Sequence, residues 1–165
     1  MRLIAALLLA SALSACGFQL RGTADLPFKT LYMPPATSPG IALDLRRNIQ
    51  AGTRTQVVDD PKQAEALLEF PAEVRDRLIL SLAGTGRVNE YQLRYLVSFR
   101  VHNGKGGEFV PTSTVTLTRD VTYSDADVLS KQAEEQLLYR DMQFDMVQLI
   151  MRRLAAAQPP KPAVQ

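Results

Sequence analysis

The sequence predicts an α+β protein built as a two-layer sandwich, in which a four-stranded, mostly antiparallel sheet carries two helices packed on one face. Three long segments between residues 64 and 123 alternate apolar and polar residues, as strands with one buried face do. Two other segments repeat apolar residues every three or four positions, as amphipathic helices do. Short connections join the three long strands, which favours antiparallel neighbours. The helices bury their apolar stripes economically if both cover the apolar face of the sheet.

The chain begins with a lipoprotein-type signal. Residues 3–13 are Leu, Ile, Ala and one Ser, which fits the apolar region of a secretory signal and is shorter than the roughly 20 residues of a membrane-spanning helix. Leu13-Ser14-Ala15 then precedes the only cysteine, Cys16. This pattern predicts a signal peptide over residues 1–15 and lipidation of Cys16, whose covalent lipid is the only cofactor-like group expected.

The alternative is that Cys16 is a small apolar residue at the end of an ordinary signal, although a lone thiol in an oxidising compartment then has no evident use. Gly17, rather than Asp, gives no inner-membrane retention signal, so the expected location is the periplasmic face of the outer membrane, held by the lipid anchor. Several acyl chains on one residue suffice for stable anchoring.

Removal of the signal from the 165-residue chain leaves 150 residues, enough for one domain. We expect a lipidated tether over residues 16–28, a single α/β sandwich domain over 29–157, and a disordered proline-rich tail over 158–165. The net charge of +2 is too small for a polycation, so no nucleic-acid partner is expected.

The first elements are short. Residues 29–33 read as one strand that Pro34 and the next proline end. Ser38 and Pro39 can begin a helix, as N-cap and first-turn residue. Its apolar stripe ends at Gly52 and consists of Ile41, Leu45 and Ile49. A brief extended piece is possible over residues 53–58.

The three long strands form a meander. Pro71 interrupts the first of them, which suggests an edge position or a bulge rather than the end of the strand. After Pro71 the pattern predicts Leu78, Leu80 and Leu82 on the apolar face, with Arg75 and Arg77 on the wet face. The second strand alternates most regularly, with its apolar residues at odd positions from 91 to 101. The third covers residues 108–123 and is rich in Val and Thr.

The last helix begins near Asp125 and ends near Arg153. Asp near its start and Arg at its end complement the helix dipole. Its predicted buried stripe consists of Leu129, Ala133, Leu137, Phe144, Val147, Met151 and Leu154.

The composition argues against an enzyme and against a metal site. The chain has one His and one Cys, so Cys/His metal spacings and Cys/His nucleophile pairs are nearly excluded. His102 reads as a turn residue, and Asp59-Asp60 precedes a proline and reads as a turn. The glycine-rich segments near residues 84 and 104 lack the helix N-terminus of a phosphate cradle and read as hairpin turns. No catalytic residue and no metal ligand is predicted.

Basic residues cluster around the first hairpin turn. They are Arg75, Arg77, Arg87, Arg94 and Arg100, with Lys131 near the start of the last helix. One interpretation is an ordinary charged, solvated sheet face. The other is an electropositive patch that binds phosphates, to which Arg offers bidentate geometry and Lys a point charge.

Two motifs resemble a known family. Cys16 is followed by Gly-Phe-Gln-Leu-Arg-Gly, and Asn89-Glu-Tyr-Gln-Leu93 opens the second meander strand. Together with the helix over residues 140–154, this order resembles the LPS-assembly lipoprotein family LptE, from Cys16 to about Leu154.

The resemblance implies a non-enzymatic subunit that plugs and helps assemble the outer-membrane β-barrel LptD and binds lipopolysaccharide during its transport to the outer leaflet. Lys131 matches the family's basic residue in the last helix. At the hairpin tip the family's basic residue aligns with Gly84, and Arg87 is the nearest basic residue. The predicted lipopolysaccharide-binding residues are Arg87, Lys131 and Arg77.

Two other functions remain open from the sequence. An auxiliary lipid-binding outer-membrane lipoprotein of an ABC-type lipid transport system would hold acyl chains in an apolar cleft between helix and sheet. A periplasmic hydrolase would need a plausible Ser-His-Asp order or metal set, which this sequence lacks.

Overall fold

The computed structural model describes residues 25–35, 40–84, 86–123 and 127–160. Several predictions lie outside these ranges: the signal peptide, Cys16 and most of the tether, the Ser38-Pro39 cap, the helix start at Asp125, and tail residues 161–165.

Five strands and two α-helices form in the described part of the chain. They are β1 (Thr30–Tyr32), α1 (Ile41–Gly52), β2 (Gln56–Val58), β3 (Ala66–Leu82), β4 (Val88–His102), β5 (Glu108–Thr122) and α2 (Val128–Ala155). A single 3-10 turn, Pro61–Gln63, separates β2 from β3.

The strands form one sheet in the order β2-β1-β3-β4-β5. Strands β3, β4 and β5 are antiparallel neighbours, as predicted, whereas β1 runs parallel to both β2 and β3. The prediction of four strands is wrong by one. The fifth is β2, where the Gln56 amide donates to the Lys29 carbonyl at 2.9 Å. Three residues are too few for alternation to distinguish a strand from a loop.

A bulge at Pro71 controls which face each side chain of β3 occupies. Before the proline, Leu68 pairs with Val101; after it, Arg75 pairs with Tyr95. Between Glu69 and Ala72 the strand gains one residue over its partner. A one-residue slip moves every following side chain to the opposite face. The prediction was an edge position or a bulge, and the bulge is what forms; its effect on register was not foreseen.

The register shift reverses the predicted faces of β3. Arg77 pairs with Leu93, which is buried, and so lies on the helix-covered face. Leu78 pairs with Gln92 on the opposite face. Leu78, which was predicted to be buried, is therefore 45% exposed. Leu80 and Leu82 were also predicted to be buried but are 47% and 59% exposed; further register shifts around Ser81 separate them from Leu78.

The hydrophobic core lies between the inner face of the sheet and the helices. From α1 it takes Ile41, Leu45 and Ile49, which confirms the predicted stripe. From the sheet it takes the odd residues of β4 from Leu93 to Val101, with Leu31 of β1 and Leu68 of β3. Gln148 of α2 donates to Asn48 of α1 at 3.4 Å, so the two helices also contact each other.

Only the second half of α2 enters this core. Its buried residues are Met142, Met146, Val147, Ile150 and Leu154. Val147 and Leu154 were predicted to be buried and are, and Met151 is half-buried. The prediction is wrong for Ala133, which is exposed, and for Leu129, Leu137 and Phe144, which are 82%, 51% and 64% exposed. In the first half of α2, Leu138 and Tyr139 pack against the core but are only partly buried.

Candidate functional site

The register shift at Pro71 brings Arg77 to the inner face near the hairpin end of the sheet. Its guanidinium lies over the Tyr91 ring, 5.0 Å from the centroid, and makes a cation–π interaction with it. Nη1 of Arg77 is 3.4 Å from Oε2 of Glu135 on α2. Arg77 therefore links β3 to the first half of α2.

Lys131 approaches the same region from the helix. Its Nζ donates to Oε2 of Glu134 at 2.9 Å and to Oγ1 of Thr122 at 3.3 Å. The Lys131 side chain is 22% exposed, so it lies along the helix–sheet boundary and does not extend into solvent.

Arg77 and Lys131 line one pocket beneath the first half of α2. Its volume is about 100 Å³. The complete lining is Arg77, Tyr91, Leu93, Val121, Tyr123, Val128, Lys131, Gln132 and Glu135. The Tyr91 and Tyr123 rings meet edge to face, with centroids 5.3 Å apart. The pocket is small against the roughly 300–1,000 Å³ of drug-sized sites, so it suits one small anionic group. A pocket of this size does not hold an acyl chain, so it gives no support to the ABC-system alternative.

Arg87 lies at the same end of the sheet but does not line this pocket. It follows the β3–β4 turn, where the Ala83 amide donates to the Arg87 carbonyl at 2.7 Å and the Gly86 amide to the Ala83 carbonyl at 2.8 Å. Gly86 has φ +79°, which glycine tolerates best. The exposed Arg87 is four strand residues from Tyr91, about 14 Å along β4.

The remaining arginines of the predicted patch meet carboxylates. The pairs are Arg75 with Glu73, Arg94 with Asp76, and Arg100 with Glu69. The Arg94 hydrogen bond holds the pKa of Asp76 below its ordinary value. The hydrogen bond from Arg100, followed by that from His102, does the same for the pKa of Glu69. These three arginines match the interpretation of an ordinary charged sheet.

A hydrogen bond fixes the helix next to the pocket. Oη of Tyr139 on α2 donates to the backbone carbonyl of Asp76 on β3 at 2.7 Å, and burial raises the pKa of Tyr139. Sequence reasoning did not assign Tyr123, Glu135 or Tyr139 to a site. The sequence held one sign of such a site: Lys131 and Glu135 are one helical turn apart and so lie on the same face of the helix.

Other site types are absent from the described ranges. They contain no group of three or more His, Cys, Asp or Glu placed to hold a metal ion. No helix among them combines the length and the apolar character needed to cross a membrane.

A comparison with known families identifies the class of this protein. A family model described as "LptE: Lipopolysaccharide-assembly" matches residues 28–154. The chain belongs to the LptE family. The match includes every described strand and α2 almost to its end, and with them Arg77, Arg87 and Lys131.

Relatives from three organisms resemble this LptE family member. The LPS-assembly lipoprotein LptE of Pectobacterium atrosepticum is 27% identical over 144 residues, which span 86% of this chain and 77% of that protein. The solution structure of lipoprotein B from Nitrosomonas europaea is 39% identical, with a TM-score of 0.72 over 85% of this chain and 91% of that one. A minor lipoprotein from Acinetobacter baumannii is 25% identical, with a TM-score of 0.65 over 83% of this chain and 99% of that one.

Family membership settles the class of protein. The chain is a non-enzymatic lipoprotein of the bacterial envelope that takes part in lipopolysaccharide assembly. The prediction that it is not an enzyme is confirmed by this membership.

Proposed function

We propose that this LptE protein is anchored to the outer membrane through Cys16, plugs and helps assemble the β-barrel LptD, and binds lipopolysaccharide through Arg77, Lys131 and Arg87. One observation carries the binding part of the proposal: Arg77 from β3 and Lys131 from α2, far apart in sequence, line the same small pocket.

Phosphate is the group that this pocket suits. Arg offers paired N–H donors to phosphate oxygens, and Lys offers a compact positive charge. Lipopolysaccharide carries phosphates that divalent cations bridge, and two protein cations could replace such a bridge. Arg87, at the hairpin tip, would meet a second phosphate about 14 Å away along β4.

Binding requires an exchange of partners. Arg77 and Lys131 already contact Glu135 and Glu134, so an arriving phosphate must displace both carboxylates. Exposed ion pairs are worth only about 0.2–1 kcal/mol each, and a dianionic phosphate can compete with them. The two glutamates therefore hold the cations in position and compete weakly with an arriving phosphate.

Charge substitutions test lipopolysaccharide binding. Replacing Arg87 and Lys131 by Glu, or Arg77 by Gln, should weaken binding by the acylated full-length protein in detergent. Because Arg77 and Lys131 also hold α2 to the sheet, thermal unfolding of each variant is measured as well, and the loss of binding should persist at temperatures where every variant is folded. Lys105→Glu is the matched control, because Lys105 is exposed on the β4–β5 turn at the opposite end of β4. Equal binding by the Arg87/Lys131 variant and the Lys105 variant would refute the assignment.

Copurification tests the barrel partner. The protein solubilised from outer membranes should elute with a barrel of much larger mass; recovery as a free monomer would contradict the plug. Cys16→Ala tests the anchor, which should raise the local concentration of the plug near its barrel. If the Cys16→Ala protein, expressed at a low level, supports barrel assembly as well as the wild-type protein does, the lipid serves only to target the protein to the membrane.

A further inference from the structure

A second surface lies away from the phosphate pocket, where β5 borders α2. An open groove of about 390 Å³ runs between them and is lined by Leu117 of β5 and by Phe144, Asp145, Gln148, Leu149 and Arg152 of α2. Its volume falls within the range of ligand sites. Phe144 is 64% exposed, a large apolar side chain without cover from the described residues.

Strand β5 is also the edge of the sheet. It pairs with β4 and, within the described residues, with no strand on its other side. Two outer carbonyls are capped by side chains: Ser113 Oγ donates to the Pro111 carbonyl at 2.9 Å, and Arg119 Nη1 to the Thr118 carbonyl at 2.9 Å. Between these caps, residues 112–117 form a segment long enough for a typical strand pairing.

We propose that this edge and groove bind an extended segment of a partner protein, which adds a strand beside β5 and places an apolar side chain in the groove. Strand addition obtains affinity from main-chain hydrogen bonds and specificity from pockets for alternate side chains. An edge strand next to an apolar groove supplies both. This inference goes beyond the proposed lipopolysaccharide binding, because it uses none of the pocket residues.

The charges of the groove define the partner further. Asp145 is paired with Arg119 at 2.9 Å, whereas Arg152 has no ion pair within the described residues. An extended segment with one apolar and one acidic side chain is therefore complementary to the groove.

Undescribed parts of this same chain fit poorly. The C-terminal residues 161–165 follow Pro160, which packs beside Gly107 at the start of β5. Residues 17–24 lead into Asp25, which pairs with Arg54 beside β2 at the opposite edge of the sheet. Neither segment carries an acidic side chain.

A displayed library of random decapeptides, selected on the acylated full-length protein in detergent, tests the proposal. Enriched peptides should combine an apolar and an acidic residue and lack proline between them. Affinity is then measured with a synthetic version of an enriched peptide. Phe144→Ser should lower this affinity roughly tenfold or more, as loss of a buried aromatic contact does. Arg152→Glu should lower it about 1.4- to 5-fold. Leu137→Ser, an exposed position of α2 outside the groove, is the matched control and should have no effect.

Hydrogen exchange supplies an independent measurement. Bound peptide should slow exchange of backbone amides between residues 112 and 117 and leave exchange of the β3 amides unchanged. Absence of enrichment, or binding that survives Phe144→Ser, would overturn the proposal. Concentration-dependent dimerisation that Phe144→Ser abolishes, measured by sedimentation, would also overturn it, because the groove would then hold a second copy of this chain.

Discussion

Replacing Glu135 by Gln should strengthen lipopolysaccharide binding, because Glu135 competes with phosphate for Arg77. The two side chains are 3.4 Å apart, with Arg77 54% and Glu135 29% exposed. A pair this exposed is worth about 0.2–1 kcal/mol. Its removal should therefore raise affinity about 1.4- to 5-fold. Glutamine keeps the size of the side chain, so the pocket should keep its shape.

Equilibrium binding of purified lipopolysaccharide to the acylated protein in detergent, at fixed ionic strength, measures this effect. Glu108→Gln is the matched control, since Glu108 begins β5 at the end remote from the pocket. Raising the salt concentration should reduce the affinity of both variants, because screening weakens exposed charge contacts. A Glu135→Gln protein that binds no tighter than Glu108→Gln would show that Arg77 does not need to be released.

Three further outcomes concern stability, each read from chemical or thermal unfolding of the full-length protein. Ile150→Ala should lower the free energy of unfolding by about 2–5 kcal/mol because it leaves a cavity at a buried site. Leu129→Ala should change it by less than about 0.5 kcal/mol. Equal losses would indicate that Leu129 is buried, as the sequence predicted. Gly107→Ala should lower the free energy of unfolding by about 1–3 kcal/mol, because the new Cβ would lie 2.7 Å from the Asn103 side chain and 2.8 Å from Pro160. Gly84→Ala, with open space around it, is the control. Equal stability of the two variants would contradict this packing. Glu69→Gln should be destabilising near pH 7. The lowered pKa of Glu69 contributes stability above its ordinary value of 4.5, which is lost as pH falls through the folded pKa. The difference in unfolding free energy between the wild-type protein and Glu69→Gln should therefore disappear below about pH 4.5. A difference that grows on acidification would refute the pairing of Glu69 with Arg100.

Much of the fold follows from local pattern. The stripe of α1 and the odd-residue face of β4 were predicted because each repeats one period without interruption over several residues. Pro71 was interpreted as an edge position or a bulge and not as the end of the strand, because the alternation resumes after it; the structure has the bulge. The sequence could not show how many residues the bulge adds, and that count decides which face Arg77 occupies.

The candidate site shows the same limit. Lys131 was found through the family resemblance, and Arg77 as one of several arginines near the turn. Their convergence depends on the β3 register and on where α2 crosses the sheet, neither of which leaves a local signal. Leu129 and Phe144 were assigned to the core because a helical period cannot distinguish a stripe that meets the sheet from one that faces a groove.

The distribution of buried residues along α2 has a consequence for motion. Every buried residue of this helix lies at or after Met142, so the first half is held by the partly buried Leu138 and Tyr139, by ion pairs and by the Tyr139 hydrogen bond. Segments with few buried apolar contacts open at lower free energy than the core around them. Amide hydrogens early in α2 should therefore exchange faster than those after Met142. The end of the molecule that carries Arg77 and Lys131 can then adjust its shape while the α1 end stays folded.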